Sequence, residues 1–231
     1  MSSEGFRSDF HALSAFKNIH EGKRAIVCGS GPSLNNIDFS RVLRAKNIIF
    51  ACNQSVTCMN DCDYFCMTDH AVPQNAFFEY GVGISTKIAT FGHFFKDDII
   101  NSKKFYKKIK DKILFLERET TNLYEFDKTN KFIYGIDVVH VASHFAYVTG
   151  CSEIVLAGVD LKYQDDQIYC DPSIYGNDVD WSGHISTEGS LEQSFKGWKS
   201  MTSNKIDFFT TSEKSRLSQL MSVFPVESLY E

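Results

Sequence analysis

The chain has 231 residues, a formal net charge of −5 and 43% apolar residues, a composition typical of one folded globular domain, with or without a lid. The slight acidic excess excludes duplex nucleic acid as the main partner, because phosphate binding needs a basic surface. No apolar run approaches the roughly 18 residues of a membrane helix. Residues 1–16 lack the apolar centre of a secretory signal, so we expect a cytoplasmic protein.

The seven cysteines are expected to be reduced thiols. An odd number in a cytoplasmic protein favours free thiols over disulfides. Cys58, Cys62 and Cys66 recur at intervals of four, but a zinc site usually contains a C-x2-C pair, which is absent. We therefore predict no metal among the cysteines.

The predicted elements alternate between strands and helices. A partial apolar stripe predicts a short helical extension over residues 1–20. Nearly continuous apolar runs, typical of strands buried on both faces, occur at 24–28, 47–52, 64–67, 87–91, 112–116, 153–157 and 205–209. Further helices are predicted at 137–148, followed by Gly150 as a cap, and at 215–221.

This alternation predicts an α/β fold: a single Rossmann-like domain over residues 21–231, with a mostly parallel sheet and helices on both faces. Residues 161–190 are polar and show no periodicity. A segment of that length in a compact domain is usually functional, so we predict an active-site lid there.

Small and polar residues follow several predicted strands, where ligands of such sheets bind. These are Gly29, Ser30, Gly31, Ser33, Asn53, Thr68, Asp69, His93 and Asp160. Glycines directly after a strand allow backbone N–H groups to approach an anion. The loop lacks the lysine of a P-loop and the third glycine of a dinucleotide fingerprint. An amide such as that of Asn53 can bind a base or a ribose.

Three segments together resemble a known family. They are the run Ile26-Val27-Cys28-Gly29-Ser30-Gly31-Pro32-Ser33-Leu34, the triplet Cys52-Asn53-Gln54, and the stretch 140–160 that ends in Gly158-Val159-Asp160. The chain, over roughly residues 15–231, resembles bacterial sialyltransferases of glycosyltransferase family 42. It also resembles the wider superfamily that includes archaeal-type 6-hydroxymethylpterin diphosphokinases.

The resemblance implies a role for each matching residue. Ser30, Gly31 and Ser33 would hold the ribose and phosphate of a CMP-sugar, and Asn53 would bind the cytidine. Tyr163 and Tyr169, six residues apart, would stabilise the departing CMP phosphate, and His184 would be the general base. The implied reaction is an inverting transfer to a glycan acceptor that needs no metal cofactor. An imidazole titrates near neutral pH and phenols donate hydrogen bonds, so the residue types suit these roles.

Departures from the family pattern leave alternatives open. The bulkier stretch Asp137-Val138-Val139 stands where the sialyltransferases have a Ser-Gly pair, and Ser30 stands where they have Asn. A Mg2+-dependent diphosphokinase is the second hypothesis, with Asp69 and Asp160 at the ends of neighbouring strands as metal ligands. A non-catalytic nucleotide-binding protein is the third. Contact of the lysine-rich segment 103–112 with a membrane surface, and a homo-oligomer, also stay open.

Overall fold

The computed structural model describes residues 13–68, 76–91, 109–116, 118–119, 132–133, 137–162, 169–171, 173, 188–202 and 206–231. The main sheet has eight strands in the order β10-β9-β8-β1-β2-β3-β4-β5, and all neighbours are parallel. Its strands are β1 (Arg24–Cys28), β2 (Asn47–Cys52), β3 (Cys62–Met67), β4 (Ser85–Phe91), β5 (Ile113–Leu116), β8 (Glu153–Ala157), β9 (Asp207–Thr210) and β10 (Ser222–Val223). The sheet is the α/β architecture that the alternation predicts.

Helices and shorter elements connect these strands. The α-helices are α1 (Ala76–Ile84), α2 (Val138–Val148) and α3 (Glu188–Met201), and two short strands, β6 (Arg118–Glu119) and β7 (Phe132–Ile133), form a separate parallel pair. Short 3-10 helices occur at Leu13–Phe16, Pro32–Asn36, Phe39–Arg41, Asn53–Cys58, Arg216–Gln219 and Val226–Leu229. None of the helices in the described parts is long and apolar enough to span a membrane.

Each face of the sheet has its own hydrophobic core. On one face, Phe145 of α2 packs edge-on against Phe50 and Tyr64, with ring centroids 5.7 Å and 4.9 Å away. On the other face, Leu34 and Phe65 belong to a second buried cluster. Burial on both faces explains why the strands are continuous apolar runs rather than alternating ones.

The order of the strands places a crevice next to β1. From β1 the chain proceeds outward through β2 to β5, and it then returns to the opposite side of β1 as β8. Connections leaving β1 and β8 therefore diverge at the carboxyl ends of these strands, which is where open α/β sheets bind ligands.

Several predicted bounds are confirmed and others are wrong. Strands β1, β2 and β8 have the predicted limits, and the helix predicted at 137–148 is α2, capped by Asp137 and followed by Gly150 at φ +88°. The described part of the extension, residues 13–20, is only a 3-10 turn and further turns rather than a helix.

Helices α1 and α3 are absent from the prediction. α3 begins inside the segment assigned to the lid. Its apolar residues Leu191, Phe195, Trp198 and Met201 recur at helical spacing, and Trp198 and Met201 are buried. The helix predicted at 215–221 is the shorter 3-10 helix Arg216–Gln219.

Candidate functional site

The glycine loop, residues 29–34, continues the pairing of β1 with β8 beyond the ends of both strands. The Gly29 N–H donates to Ala157 O at 2.8 Å, and the Gly31 N–H donates to Gly158 O at 2.7 Å. A Cβ on Gly31 would lie 2.5 Å from Asp160 Oδ2 and 2.7 Å from Gly158 O. The glycines are therefore needed for the close approach of two backbones.

Asp160 joins the two loops at the crevice. Its carboxylate accepts the Ser33 hydroxyl at 2.5 Å through Oδ1 and the Ser33 N–H at 3.0 Å through Oδ2. Its carbonyl accepts the N–H of Arg216 at 3.0 Å. Only 8% of Asp160 is exposed. Both of its carboxylate oxygens thus hold the glycine loop in place.

These contacts correct one expectation about the glycine loop. The N–H groups of Gly29, Gly31 and Ser33 already donate within the protein, so they are not available to an anion. The Ser30 N–H has no partner within the described parts of the chain, and its hydroxyl makes only a long contact of 3.4 Å with Cys52 O. Ser30 is the member of the loop left to contact a ligand.

Asn53 begins the 3-10 helix that follows β2, and its backbone is left-handed, with φ +49°. Asparagine tolerates this conformation better than most residues. The side-chain oxygens of Asn53 and Gln54 are both buried without a hydrogen-bond partner among the residues that the structure describes. The rim after β2 therefore presents two unsatisfied acceptors beside the glycine loop.

The segment Tyr169 to Asp171 lies against this rim. The Cys170 N–H donates to Ser30 O at 2.8 Å, and its carbonyl accepts from Asn35 Nδ2 at 2.8 Å. Gln54 Nε2 donates to the carbonyl of Asp171. The structure thus brings half-buried Tyr169, predicted for phosphate stabilisation, to the same rim as Ser30 and Asn53.

Two lysines flank the β1–β8 crevice, a cavity of about 150 Å³. They are half-buried Lys162, two residues after Asp160, and exposed Lys214, which follows β9. Neither has an ion-pair partner in the described parts. Sequence reasoning missed both, although each follows a predicted strand at the rim.

Several predicted site residues lie outside the described residues. These are His184, Tyr163, Asp69 and His93. Thr68 directly follows β3 and is partly exposed. The structure leaves the roles of these residues as predictions.

The predicted pairing of Asp69 with Asp160 on neighbouring strands is wrong. Two strands, β1 and β2, separate β3 from β8. At about 4.8 Å per strand, their ends are about 14 Å apart. The prediction that the two carboxylates follow adjacent strands is therefore wrong, and Asp69 itself lies outside the described residues. Within the described parts, no group of three or more His, Cys, Asp or Glu side chains is arranged for a metal.

Asp137 caps α2 beside the rim, where the sequence departs from the family 42 pattern. Its Oδ1 accepts the N–H groups of Val139 and His140 and lies 2.9 Å from His140 Nδ1, and its Oδ2 accepts the Ser194 hydroxyl. Burial opposes ionisation, but His140 and the hydrogen bonds outweigh it and lower the pKa of Asp137 to about 2. Asp137 is therefore an ionised cap that also joins α2 to α3.

Comparisons with known proteins give a family and a fold. The family model described as 6-hydroxymethylpterin diphosphokinase MptE-like matches residues 4–166. Among curated protein sequences, none is significantly similar to the chain.

Solved structures of bacterial sialyltransferases share the fold. CstII from Campylobacter jejuni with cytidine-5′-monophosphate, a substrate analogue, aligns with a TM-score of 0.53 at 19% identity, over 89% of this chain and 86% of that one. CST-II with a trisaccharide acceptor and CMP gives 0.51 at 18%, over 88% and 86%. The monofunctional alpha-2,3-sialyltransferase Cst-I from Campylobacter jejuni gives 0.50 at 19%, over 87% and 80%.

Proposed function

The chain belongs to the 6-hydroxymethylpterin diphosphokinase MptE-like family, and we propose that within this family it is a glycosyltransferase. It moves a sugar, sialic acid or a related acid, from a CMP-activated donor to a glycan acceptor. The transfer inverts the anomeric centre and needs no metal. The fold shared with CMP-bound sialyltransferases over most of both chains supports this assignment.

The amide oxygen of Asn53 is the observation that supports the proposal most directly. It is buried and has no hydrogen-bond donor in the described part of the chain. Leaving such an acceptor unsatisfied costs about 1–3 kcal/mol, which a ligand recovers by donating to it. The exocyclic amine of cytosine is such a donor, whereas uracil has a carbonyl oxygen at the same position. Asn53 therefore favours a cytidine nucleotide.

The phosphate of the leaving CMP needs positive charge and hydrogen-bond donors. Lys162 and Lys214 flank the crevice with ammonium groups that lack ion-pair partners in the described residues. Tyr169 lies at the same rim. In the proposed reaction these groups, together with Tyr163, bind the departing phosphate, and the N–H of Ser30 adds a backbone donor.

The transfer is one displacement. The acceptor oxygen forms a bond to the anomeric carbon while the bond from that carbon to the phosphate oxygen breaks on the opposite side. The acceptor proton passes to the imidazole of His184, the proposed general base. An imidazole titrates near neutral pH and is therefore suited to this role.

Calorimetric titration with CMP and UMP tests the proposal. We expect the protein to prefer CMP, and the variant Asn53→Gly to lose about tenfold or more in CMP affinity with little change for UMP. Glycine adopts the backbone conformation of Asn53 without strain, so the variant removes only the amide. Asn60→Ala, an exposed turn residue beyond the same 3-10 helix, is the matched control and should leave both affinities unchanged.

Release of CMP from CMP-N-acetylneuraminic acid in the presence of a trisaccharide acceptor completes this test. His184→Ala should lower turnover about 100-fold or more while CMP affinity stays the same. Equal affinities for CMP and UMP would contradict the role of Asn53. Tight CMP binding without turnover would instead support a non-catalytic nucleotide-binding protein.

A second candidate, pyrophosphoryl transfer from ATP to a small alcohol, is favoured by the description of the matching family model. It needs Mg2+ beside the triphosphate. The hydrogen bonds from Ser33 to both oxygens of Asp160 argue against that residue as the metal ligand. Formation of AMP from ATP with a hydroxymethylpterin, lost on chelation, would favour this candidate over the glycosyltransferase.

A further inference from the structure

Two cysteines from distant parts of the sequence meet at the rim of the candidate site. Cys58 ends the 3-10 helix Asn53–Cys58, and Cys170 lies in the segment that packs on the glycine loop. Their side chains are hydrogen-bonded to each other. Cys58 is partly exposed, whereas Cys170 is buried. The pair therefore has one thiol that a reagent can reach and one directly behind it.

The side-chain amide of Asn35 contacts both cysteines. Its Oδ1 lies 3.5 Å from Cys58 Sγ, and its Nδ2 donates to Cys170 O at 2.8 Å. The Cys170 N–H is bonded to Ser30 O, and the next residue, Asp171, accepts from Gln54. The segment around Cys170 is thus held to the 3-10 helix that ends at Cys58 directly by Gln54 and indirectly through Asn35.

The cysteines differ in pKa, and therefore in how readily each forms the nucleophilic thiolate. The hydrogen bond from Cys170 lowers the pKa of Cys58, although burial and the charge of Asp171 oppose this effect. The bond to Cys58, together with burial, raises the pKa of Cys170. Burial raises the pKa of Cys62 to about 12 and that of Cys151 to about 11. A thiolate is the nucleophile in thiol exchange, so Cys58 is the cysteine prepared to react.

We propose that Cys58 and Cys170 form a thiol–disulfide site, in which Cys58 attacks a small-molecule disulfide and Cys170 resolves the product into an internal disulfide. The bond tethers the segment Tyr169 to Asp171 to the 3-10 helix that begins at Asn53. The site is distinct from the residues assigned to transfer.

The chemistry balances in two exchanges. The Cys58 thiolate attacks one sulfur of the small disulfide, forming a mixed disulfide and releasing one small thiolate. That thiolate takes the proton of the Cys170 thiol. The Cys170 sulfur then attacks Cys58 Sγ, the mixed disulfide breaks, and the second small thiolate leaves. The protein loses two electrons and the small disulfide gains them.

A consequence for ligand binding follows if the proposed function holds. Tyr169 is one residue from Cys170, and Ser30 and Gln54 contact the same segment. The disulfide therefore fixes one predicted phosphate-binding residue relative to the rim. This consequence rests on the proposed function, whereas formation of the disulfide does not.

Peptide mapping of the intact protein tests the inference. The reduced chain is treated with glutathione disulfide at about neutral pH, the remaining thiols are alkylated, and non-reduced digests are examined by mass spectrometry. We expect a linked pair of peptides containing Cys58 and Cys170. In Cys170→Ser, Cys58 should instead accumulate as a stable mixed disulfide with glutathione, because the resolving thiol is gone.

The chain offers a matched control pair. Cys52 and Cys66 are partners across β2 and β3 and are also hydrogen-bonded, but both are buried. The double variant Cys52→Ser, Cys66→Ser should form the 58–170 link as the wild type does. A 52–66 link in the wild type, a lasting mixed disulfide at Cys58 with Cys170 present, or no reaction would overturn the inference.

The pH dependence of alkylation gives a second readout that folding defects do not mimic. The rate at Cys58 should rise with pH through a midpoint below that of an ordinary thiol. Cys170→Ala removes the hydrogen-bond donor and should move that midpoint upward, slowing alkylation several-fold at neutral pH. Burial and the neighbouring carboxylate of Asp171 oppose ionisation of Cys58, whereas the hydrogen bonds from Cys170 and Thr57 favour it. An unchanged midpoint would contradict the assigned interaction.

If the link forms but oxidised and reduced protein both fail to bind CMP, the proposed function fails and the thiol site stands. If CMP binds and no link forms, the opposite holds. The two results therefore distinguish the two proposals.

Discussion

Asp137 shows how one side chain organises the region beside the candidate site. It satisfies two N–H groups at the start of α2 that would otherwise lack partners, and it bonds Ser194 on α3. His140, whose ring lies 2.9 Å away, stacks on Trp198 with 4.2 Å between ring centroids. The cap therefore links the start of α2 to the aromatic core under α3.

Replacing Asp137 should destabilise the protein in a pH-dependent way. Asp137→Ala removes the cap and should cost about 1–2 kcal/mol of unfolding free energy near pH 7. The pKa of Asp137 in the folded protein is about 2, below its usual value of 3.8. Its charge thus stabilises the fold above about pH 4, and that contribution is lost as pH falls toward 2.

Urea denaturation between about pH 7 and pH 3 measures this effect. The difference between wild type and Asp137→Ala should narrow as the pH falls below about 4. Asp137→Asn keeps a good capping group and serves as the control, since it removes the charge and the acceptor for Ser194 but not the cap. A difference that stays constant over this range would contradict an ionised cap.

At the scale of elements, the backbone of the glycine loop packs directly against the backbone of the loop that follows β8. Gly31 has φ −71°, a conformation open to any residue, so the glycine is required by space rather than by its dihedral angle. The atoms in that space are Gly158 O and the Asp160 carboxylate. Packing and the Ser33–Asp160 hydrogen bonds therefore depend on the same glycine.

Gly31→Ala should separate the loops after β1 and β8. A methyl group 2.5 Å from Asp160 Oδ2 requires the carboxylate or the loop to move. Overpacking of this kind costs about 1–3 kcal/mol, and CMP affinity should fall with it. Thermal unfolding and CMP titration of the variant measure both effects.

Gly83→Ala is the matched control for Gly31→Ala. Beyond its chain neighbours and its own helix backbone, no atom of the described residues lies within 4 Å of a Cβ at Gly83, which is in α1. That variant should be neutral or gain about 0.5–1 kcal/mol. Equal stability and equal CMP affinity of the two variants would show that the contact between the loops after β1 and β8 tolerates a side chain at position 31.

At the scale of the whole molecule, the strand order decides which rim residues can act together. The ends of β1 and β8 are adjacent, and so are those of β1 and β2. Ser33 and Asp160 therefore meet, and Ser30 lies near Cys52 at the end of β2. β2 lies between β1 and β3, so the carboxyl end of β3 is not next to the crevice.

Metal removal should leave the protein's ligand binding unchanged. β3 and β8 are not neighbouring strands, and both carboxylate oxygens of Asp160 accept hydrogen bonds from Ser33. We expect EDTA to leave the thermal stabilisation by CMP, and the turnover of a CMP-sugar, within about twofold of their values with Mg2+. Stabilisation by CMP that disappears with EDTA and returns with Mg2+ would contradict this expectation.

Most of the buried sheet could be predicted from the sequence, but the partners of its rim residues could not. Residues 24–28, 47–52 and 153–157 are apolar runs whose burial depends on composition alone, and they form β1, β2 and β8. By contrast, α3 begins within the polar segment predicted to be a lid, although its apolar residues recur at helical spacing. Lys162 and Lys214 gave no periodic signal because single polar residues after strands resemble ordinary turns.

By itself the sequence determined the α/β class, the buried strands, the glycine loop and the family resemblance, because these depend on local composition and on motifs of adjacent residues. The tertiary structure alone decided that Asp160 binds Ser33, that Gly29 and Gly31 use their N–H groups internally, and that Cys58 meets Cys170. Each of these contacts joins residues more than 100 positions apart. Such contacts depend on the order of strands in the sheet, which no local pattern specifies.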